Sequence, residues 1–249
     1  MTGRRAPKGN RHLDSGQQIC HTVLESNGKL WLSNMKFEEL IKNFQKLPFF
    51  SFKEALALSA DPTDQFKNQL SVWAGAGKIE RLRRGYYILS ETYRKSEPSV
   101  YYISNYLYRP SYISLYTALQ FYGLIPEAVF EIQAVTPLHG MQWSSSLGSF
   151  QYRCVKQDKF WGYREIAGAA SPAPQNNFLI AEPEKALLDF FYLQNGSWPV
   201  ERIKQMRFQS WETLNMAKLD EFAARFHSPK VTRAVRNLAR YFKDEKENL

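Results

Sequence analysis

"SFKEALALSADPTDQFKNQLSVWAGAGKIERLRRGYYIL", residues 51–89, changes its periodicity twice, and those changes decide the fold. Ser51 with Glu54 three residues on is a capping box that opens a helix through "EALALS". Asp61 before Pro62 has the form of an N-cap and first-turn pair for a second helix. Phe66, Leu70 and Trp73 then share one side of that helix, which ends at Gly75 and Gly77. Beyond it "KIERL" and "GYYIL" read as strands. Arg83-Arg84-Gly85 is the turn between them, with glycine where a positive φ is wanted.

Upstream, "MKFEELIKNFQKL" (35–47) spaces Phe37, Leu40, Ile41, Phe44 and Leu47 as one helical face, with Glu38 and Glu39 early, where the helix dipole favours negative charge. Three helices closed by a two-stranded hairpin predict a winged helix-turn-helix over 35–90. In that arrangement the third helix enters the major groove and the hairpin lies along the phosphates. The candidate DNA-binding residues are therefore Gln65, Lys67, Asn68 and Ser71 on the third helix, and Arg81, Arg83 and Arg84 on the hairpin. Gln65 and Asn68 suit bidentate contact with adenine edges. Each feature alone also suits an ordinary solvated surface, and winged helices also dock proteins; the DNA reading rests on their conjunction.

"SETYRKSEPS" (90–99) is polar and proline-containing, and 91–99 is expected to be a linker. Residues 100–249 read as a mixed α/β domain, so the predicted class is α+β. "SLYTALQFYG" is a helix with Ser114 as N-cap; "VFEIQAVTP", "SFQYRCV" and "FWGYREI" are strands. "FLIAEPEKALLDFFYLQNG" is a buried strand running into a helix with Pro183 in its first turn. The last helix, "PKVTRAVRNLARYFK", sets Val231, Ala234, Val235, Leu238, Tyr241 and Phe242 against Arg233, Arg236, Arg240 and Lys243. That basic side is either a solvated surface or a contact for nucleic acid or a partner.

Composition narrows the function. The chain has 249 residues, 44% of them apolar, and a net charge of +9, which points toward an anionic partner. The excess is +3 in each of 1–35, 36–90 and 91–249, so it is densest in the first ninety residues. No apolar run is long enough for a membrane span, and the polar, basic start has no apolar stretch like that of a signal peptide, so a cytoplasmic location is expected. Cys20 and Cys154 lack metal-ligand spacing, and His12, His21, His139 and His227 are scattered. "WAGAGK" lacks the Walker spacing. Gly148-Ser149 opens like a nucleotidyltransferase motif, but only Asp158 follows it, without a paired carboxylate. "EPEK" (182–185) is better explained as an acidic helix start than as a nuclease site. No catalytic residue, metal or cofactor is assigned, and the protein is expected not to be an enzyme.

The hairpin, "YISLYTALQFYGLIPE" (112–127) and "AEPEKALLDFFYL" (181–193) together resemble the abortive-infection antitoxins of type IV toxin-antitoxin pairs, also described as regulators of viral defence. The likeness covers roughly residues 35–242. It implies a DNA-binding transcriptional repressor that autoregulates its operon through an operator of inverted repeats. It also implies a second domain that counteracts a nucleotidyltransferase-type toxin in phage defence. Residues 1–34 then form an N-terminal extension, partly disordered, either a basic arm or translation from an upstream start. Two rivals stand beside this reading: a winged-helix regulator whose second domain senses a ligand or oligomerises, and a nucleic-acid-processing enzyme.

Overall fold

The computed structural model describes residues 35–97, 99–168 and 176–247. The expected extension at 1–34 lies outside these, with Cys20, His12 and His21.

Helices α1 (Phe37–Phe44), α2 (Phe52–Leu58) and α3 (Thr63–Gly75) follow one another as the sequence predicts. The capping box of α2 is formed: Glu54 N–H donates to Ser51 Oγ at 3.1 Å, and Ser51 N–H donates to the Glu54 carboxylate at 2.7 Å. The start of α3 is different. Pro62 occupies the N-cap without a side-chain bond, and the buried Asp61 carboxylate accepts instead from Met35 N–H at 2.9 Å and the Ser59 hydroxyl at 2.6 Å. A buried amide ahead of α1 needs an acceptor, and that tertiary demand overrides the local cap.

Strands β2 (Ile79–Arg83) and β3 (Tyr86–Leu89) form the expected hairpin, turning at Gly85 with φ +82°. A short strand β1 (Phe50–Ser51) pairs with β3, giving the antiparallel order β1-β3-β2. A bulge between Arg81 and Arg83 shifts the register of β2. The two faces of this hairpin belong to different cores. Ile79 and Leu89 pack with Phe37, Leu40, Phe66 and Leu70 of the helices, whereas Leu82 and Ile88, with Phe49, join the core of the second region.

The polar stretch after the hairpin is fastened down. Lys95 N–H donates to the Gln45 carbonyl at 2.6 Å, Ser96 Oγ donates to that of Leu47 at 3.2 Å, and Tyr93 meets Phe37 edge-on at 5.0 Å.

The second region is built on α4 (Val100–Leu107), β4 (Tyr112–Ile113), α5 (Leu115–Phe121), β5 (Glu131–Thr136), β6 (Met141–Ser145), β7 (Gly148–Cys154), β8 (Tyr163–Ile166) and β9 (Phe178–Ala181). Its sheet has the order β6-β7-β5-β4-β9-β8, with β5–β7 and β4–β9 parallel and the other pairs antiparallel. Helices α6 (Pro183–Leu193), α7 (Val200–Gln205), α8 (Met216–Phe226) and α9 (Pro229–Glu247) complete it. The architecture is mixed α and β, as expected. Ser114 precedes α5, but its hydroxyl does not cap the helix; it donates to Asp189 at 2.9 Å. Val231, Ala234, Val235, Leu238, Tyr241 and Phe242 of α9 are all buried, which confirms its amphipathic reading. Among the described residues no helix is long and apolar enough to cross a membrane.

Candidate nucleic-acid interface

Phe66, Leu70 and Trp73 anchor one side of α3, so the residues on the opposite side face outward, while Gln69 at the border donates to the Met35 carbonyl at 2.8 Å. Gln65, Lys67, Asn68 and Ser71 are exposed there, together with Val72. Lys67 is paired with Asp64 at 2.9 Å, both well exposed, and Ser71 Oγ donates to the Lys67 carbonyl at 3.0 Å. The face thus offers amides, a hydroxyl and a short apolar side chain, which is the chemistry that reads base edges and thymine methyl groups.

Arg81 and Arg84 of the hairpin are also exposed. Arg83, expected beside them as a DNA contact, is instead half-buried and engaged within the chain. Its guanidinium lies 5.3 Å from the Tyr108 ring and 5.2 Å from that of Trp143, and it donates to the Leu107 carbonyl. The bulge turns Arg83 to the second region, where aromatic faces and a carbonyl replace water around the cation. Glu80, on the same side, accepts from the Ser146 hydroxyl. Phe49, Tyr86 and Tyr106 complete this seam, with centroids 4.7 to 6.1 Å apart.

A second exposed basic surface lies on α9. Arg233, Arg236, Arg240 and Lys243 all face solvent, and Lys243 approaches Glu247 at 3.8 Å. Arg233 and Arg236 border a shallow depression with His227 and Thr232. Lys230 behaves differently: it donates to the Tyr192 carbonyl at 3.1 Å and to that of Gln194, closing the C-terminal end of α6. Burial, with Arg202 nearby, lowers its pKa from the ordinary value.

The charges of the 181–193 motif are mostly internal. Lys185 and Asp189, one turn apart on α6, are fully buried and paired with each other. Lys185 Nζ donates to Tyr112 Oη at 2.8 Å, while the Tyr112 and Ser114 hydroxyls each donate to Asp189 at 2.9 Å. Burial pushes the Lys185 pKa down and the Asp189 pKa up, each opposed by the partner's charge. Burial beside Asp189 raises the Tyr112 pKa well above its usual value. Gly162, at φ +72°, closes over the lysine stem; a Cβ there would lie 3.0 Å from Lys185 Cγ. The two acids of "EPEK" are engaged as well: Lys218 pairs with Glu182 and approaches Glu184 at 3.8 Å, and Glu184 accepts from Asn215 N–H at 3.0 Å. This is a locked helix start, not an open carboxylate pair.

Among the described residues no group of histidine, cysteine, aspartate and glutamate is placed to hold a metal ion. His139 and His227 are exposed and separate, and His227 ends α8 in a left-handed conformation. Asp158 pairs with its neighbour Lys159 at 2.9 Å, which lowers its pKa. The sequence reading passed over the Lys185–Asp189 pair. Its signal was an i,i+4 pair of opposite charges on a helix whose other residues are apolar nearly all round. No protein-family model matches the chain, and no curated protein matches it either.

Proposed function

We propose that the protein is a DNA-binding transcriptional repressor whose α1–α3 and β2–β3 form a winged helix-turn-helix, with α3 as the groove-reading helix. The observation that supports this best is the outward face of α3, carrying Gln65, Asn68 and Ser71, on the same unit as the exposed Arg81 and Arg84. Amides suit base edges and arginines suit phosphates. Arg83 is left out of the footprint because its guanidinium is held by the second region.

The resemblance in 112–127 and 181–193 extends the proposal. The protein is the antitoxin of a type IV pair, acts in the cytoplasm on an operator of inverted repeats, and counteracts a nucleotidyltransferase-type toxin. The exposed basic face of α9 is the surface proposed to serve that second role, by contact with nucleic acid or with a partner.

Salt-dependent binding of the full chain to the DNA upstream of its gene tests the first part. Arg81→Ala and Arg84→Ala should each flatten the slope of log affinity against log salt by roughly 0.9, on operator and random DNA alike. Asn68→Ala should reduce discrimination, by about 1 to 3 kcal/mol for a bidentate base contact. Equal losses on operator and scrambled DNA would remove Asn68 from base readout. Co-expression with the neighbouring gene product, scored for growth rescue, tests the second part. Loss of rescue on reversing Arg233, Arg236, Arg240 and Lys243, with DNA binding intact, would place antitoxicity on α9.

A further inference from the structure

Between α4, the Arg109–Ser111 turn and the β8–β9 edge lies a cleft of roughly 340 Å³, within the range of small-molecule sites. Phe160 and Tyr163 line it, and both rings pack on Tyr112, at 5.1 and 4.8 Å. Tyr112 is itself immobilised by its hydrogen bonds to Lys185 and Asp189. The aromatic wall is therefore backed by the buried charge network, which makes it a preformed surface for a flat ring.

Polar side chains stand beside these rings, with Tyr102 and Asn177 also in the lining. Arg109 and Glu165 line it and are exposed. They form no ion pair with each other, and the Arg109 guanidinium rests 4.2 Å over the Tyr106 ring. Ser111 also lines the cleft, and its buried hydroxyl has no hydrogen-bond partner among the described residues. A buried, unpaired hydroxyl at the wall of a cleft calls for an explanation, and a ligand acceptor is one. Asn105 is not in that position: its amide already donates to the Ser111 carbonyl at 3.3 Å and accepts from Leu179 N–H at 2.7 Å, so it holds the walls together.

We propose that this cleft binds a small, flat aromatic molecule carrying an anionic group and an N–H donor. The ring lies against Phe160 and Tyr163, the anion meets Arg109, the donor meets Glu165, and an acceptor on the ligand takes the Ser111 O–H. Aromatic amino acids and nucleoside monophosphates share this chemistry. The helix that brings Tyr102 to the cleft also brings Tyr106 against Tyr86 of the hairpin, at 6.0 Å. An occupant would therefore sit one helix away from the DNA-binding unit. That consequence rests on the proposed function, whereas the site itself does not.

Calorimetric titration of the full chain tests the site without any DNA present, so its failure and the failure of the repressor reading are separate results. The probes are L-tryptophan and guanosine 5′-monophosphate, with tryptamine and guanosine as the same rings without the anion. Saturable binding of either acid, at least about tenfold tighter than its anion-free analogue, is expected. Arg109→Ala and Glu165→Gln, both at exposed positions and so neutral to folding, should each weaken it by about tenfold. Which acid binds identifies the source. No saturable binding of either acid, or affinities unchanged in both variants, would overturn the proposal.

Discussion

Lys185 and Arg236 sit on α6 and α9, two helices packed against each other, and their charges have opposite fates. Lys185 has no contact with solvent and is neutralised by Asp189, Tyr112 and the rings of Trp161 and Phe226. Arg236 stands in water on a helix whose apolar side is already buried. The fold depends on the first charge, while the second is available to something outside the chain. Between these extremes lies Arg83, half-buried and held across the seam between the hairpin and the second region.

The sharpest test of this contrast is Lys185→Met, which leaves Asp189 buried without its cation. Urea denaturation should show a loss of about 3 to 5 kcal/mol, and Lys185→Met/Asp189→Leu should recover much of it. A single variant as stable as the parent would put α6 in the same category as α9. Arg83→Ala should cost less, about 1.5 to 3 kcal/mol for a charge-assisted bond with its ring contacts, and should leave the salt slope of DNA binding unchanged. A flattened slope would return Arg83 to the phosphate footprint.

Lys218 gives a pH-dependent case. Its hydrogen bond with Glu182 raises its pKa above the ordinary 10.5. The stability it contributes is therefore full below that value and is lost as pH rises through the raised one. Melting temperatures followed into alkali should fall less steeply in Lys218→Met than in the parent; parallel curves would disprove the linkage. The smallest effect belongs to α9. Arg233→Glu/Arg236→Glu should change stability by no more than about 0.5 kcal/mol per site, and any large loss of rescue would then reflect a lost contact and not a lost fold.

Features set by neighbours in the chain were legible in the sequence. The Ser51–Glu54 box, the positive φ of Gly85 and the apolar stripe of α9 each follow from spacings of a few residues. The expectations that failed concern residues whose partners are distant. Asp61 was drawn from its cap by Met35, 26 positions away. Arg83 was drawn from the tip by Tyr108 and Trp143, whose positions no local pattern announces. Helix α4 went unread because "VYYISNYL" is rich in residues that favour strands, and burial of Ile103 and Leu107 outweighs that preference. The α9 face was visible in the sequence, whereas the cleft beside Arg109 was not, since its lining comes from two separate stretches, one ending at Ser111 and the other beginning at Phe160.

The two-sided hairpin bears on how this unit can be exchanged between proteins. A recombinant that moved residues 35–90 onto a foreign second region would carry Leu82, Ile88 and Phe49 into water, along with an arginine shaped for two rings it no longer meets. Such a chimera would expose an apolar strand surface, the kind that nucleates aggregation. The unit of residues 35–90 is therefore complete only together with its mates Tyr106, Tyr108, Trp143 and Ser146. A cut at the polar stretch where the composition changes would divide side chains that pack as one body.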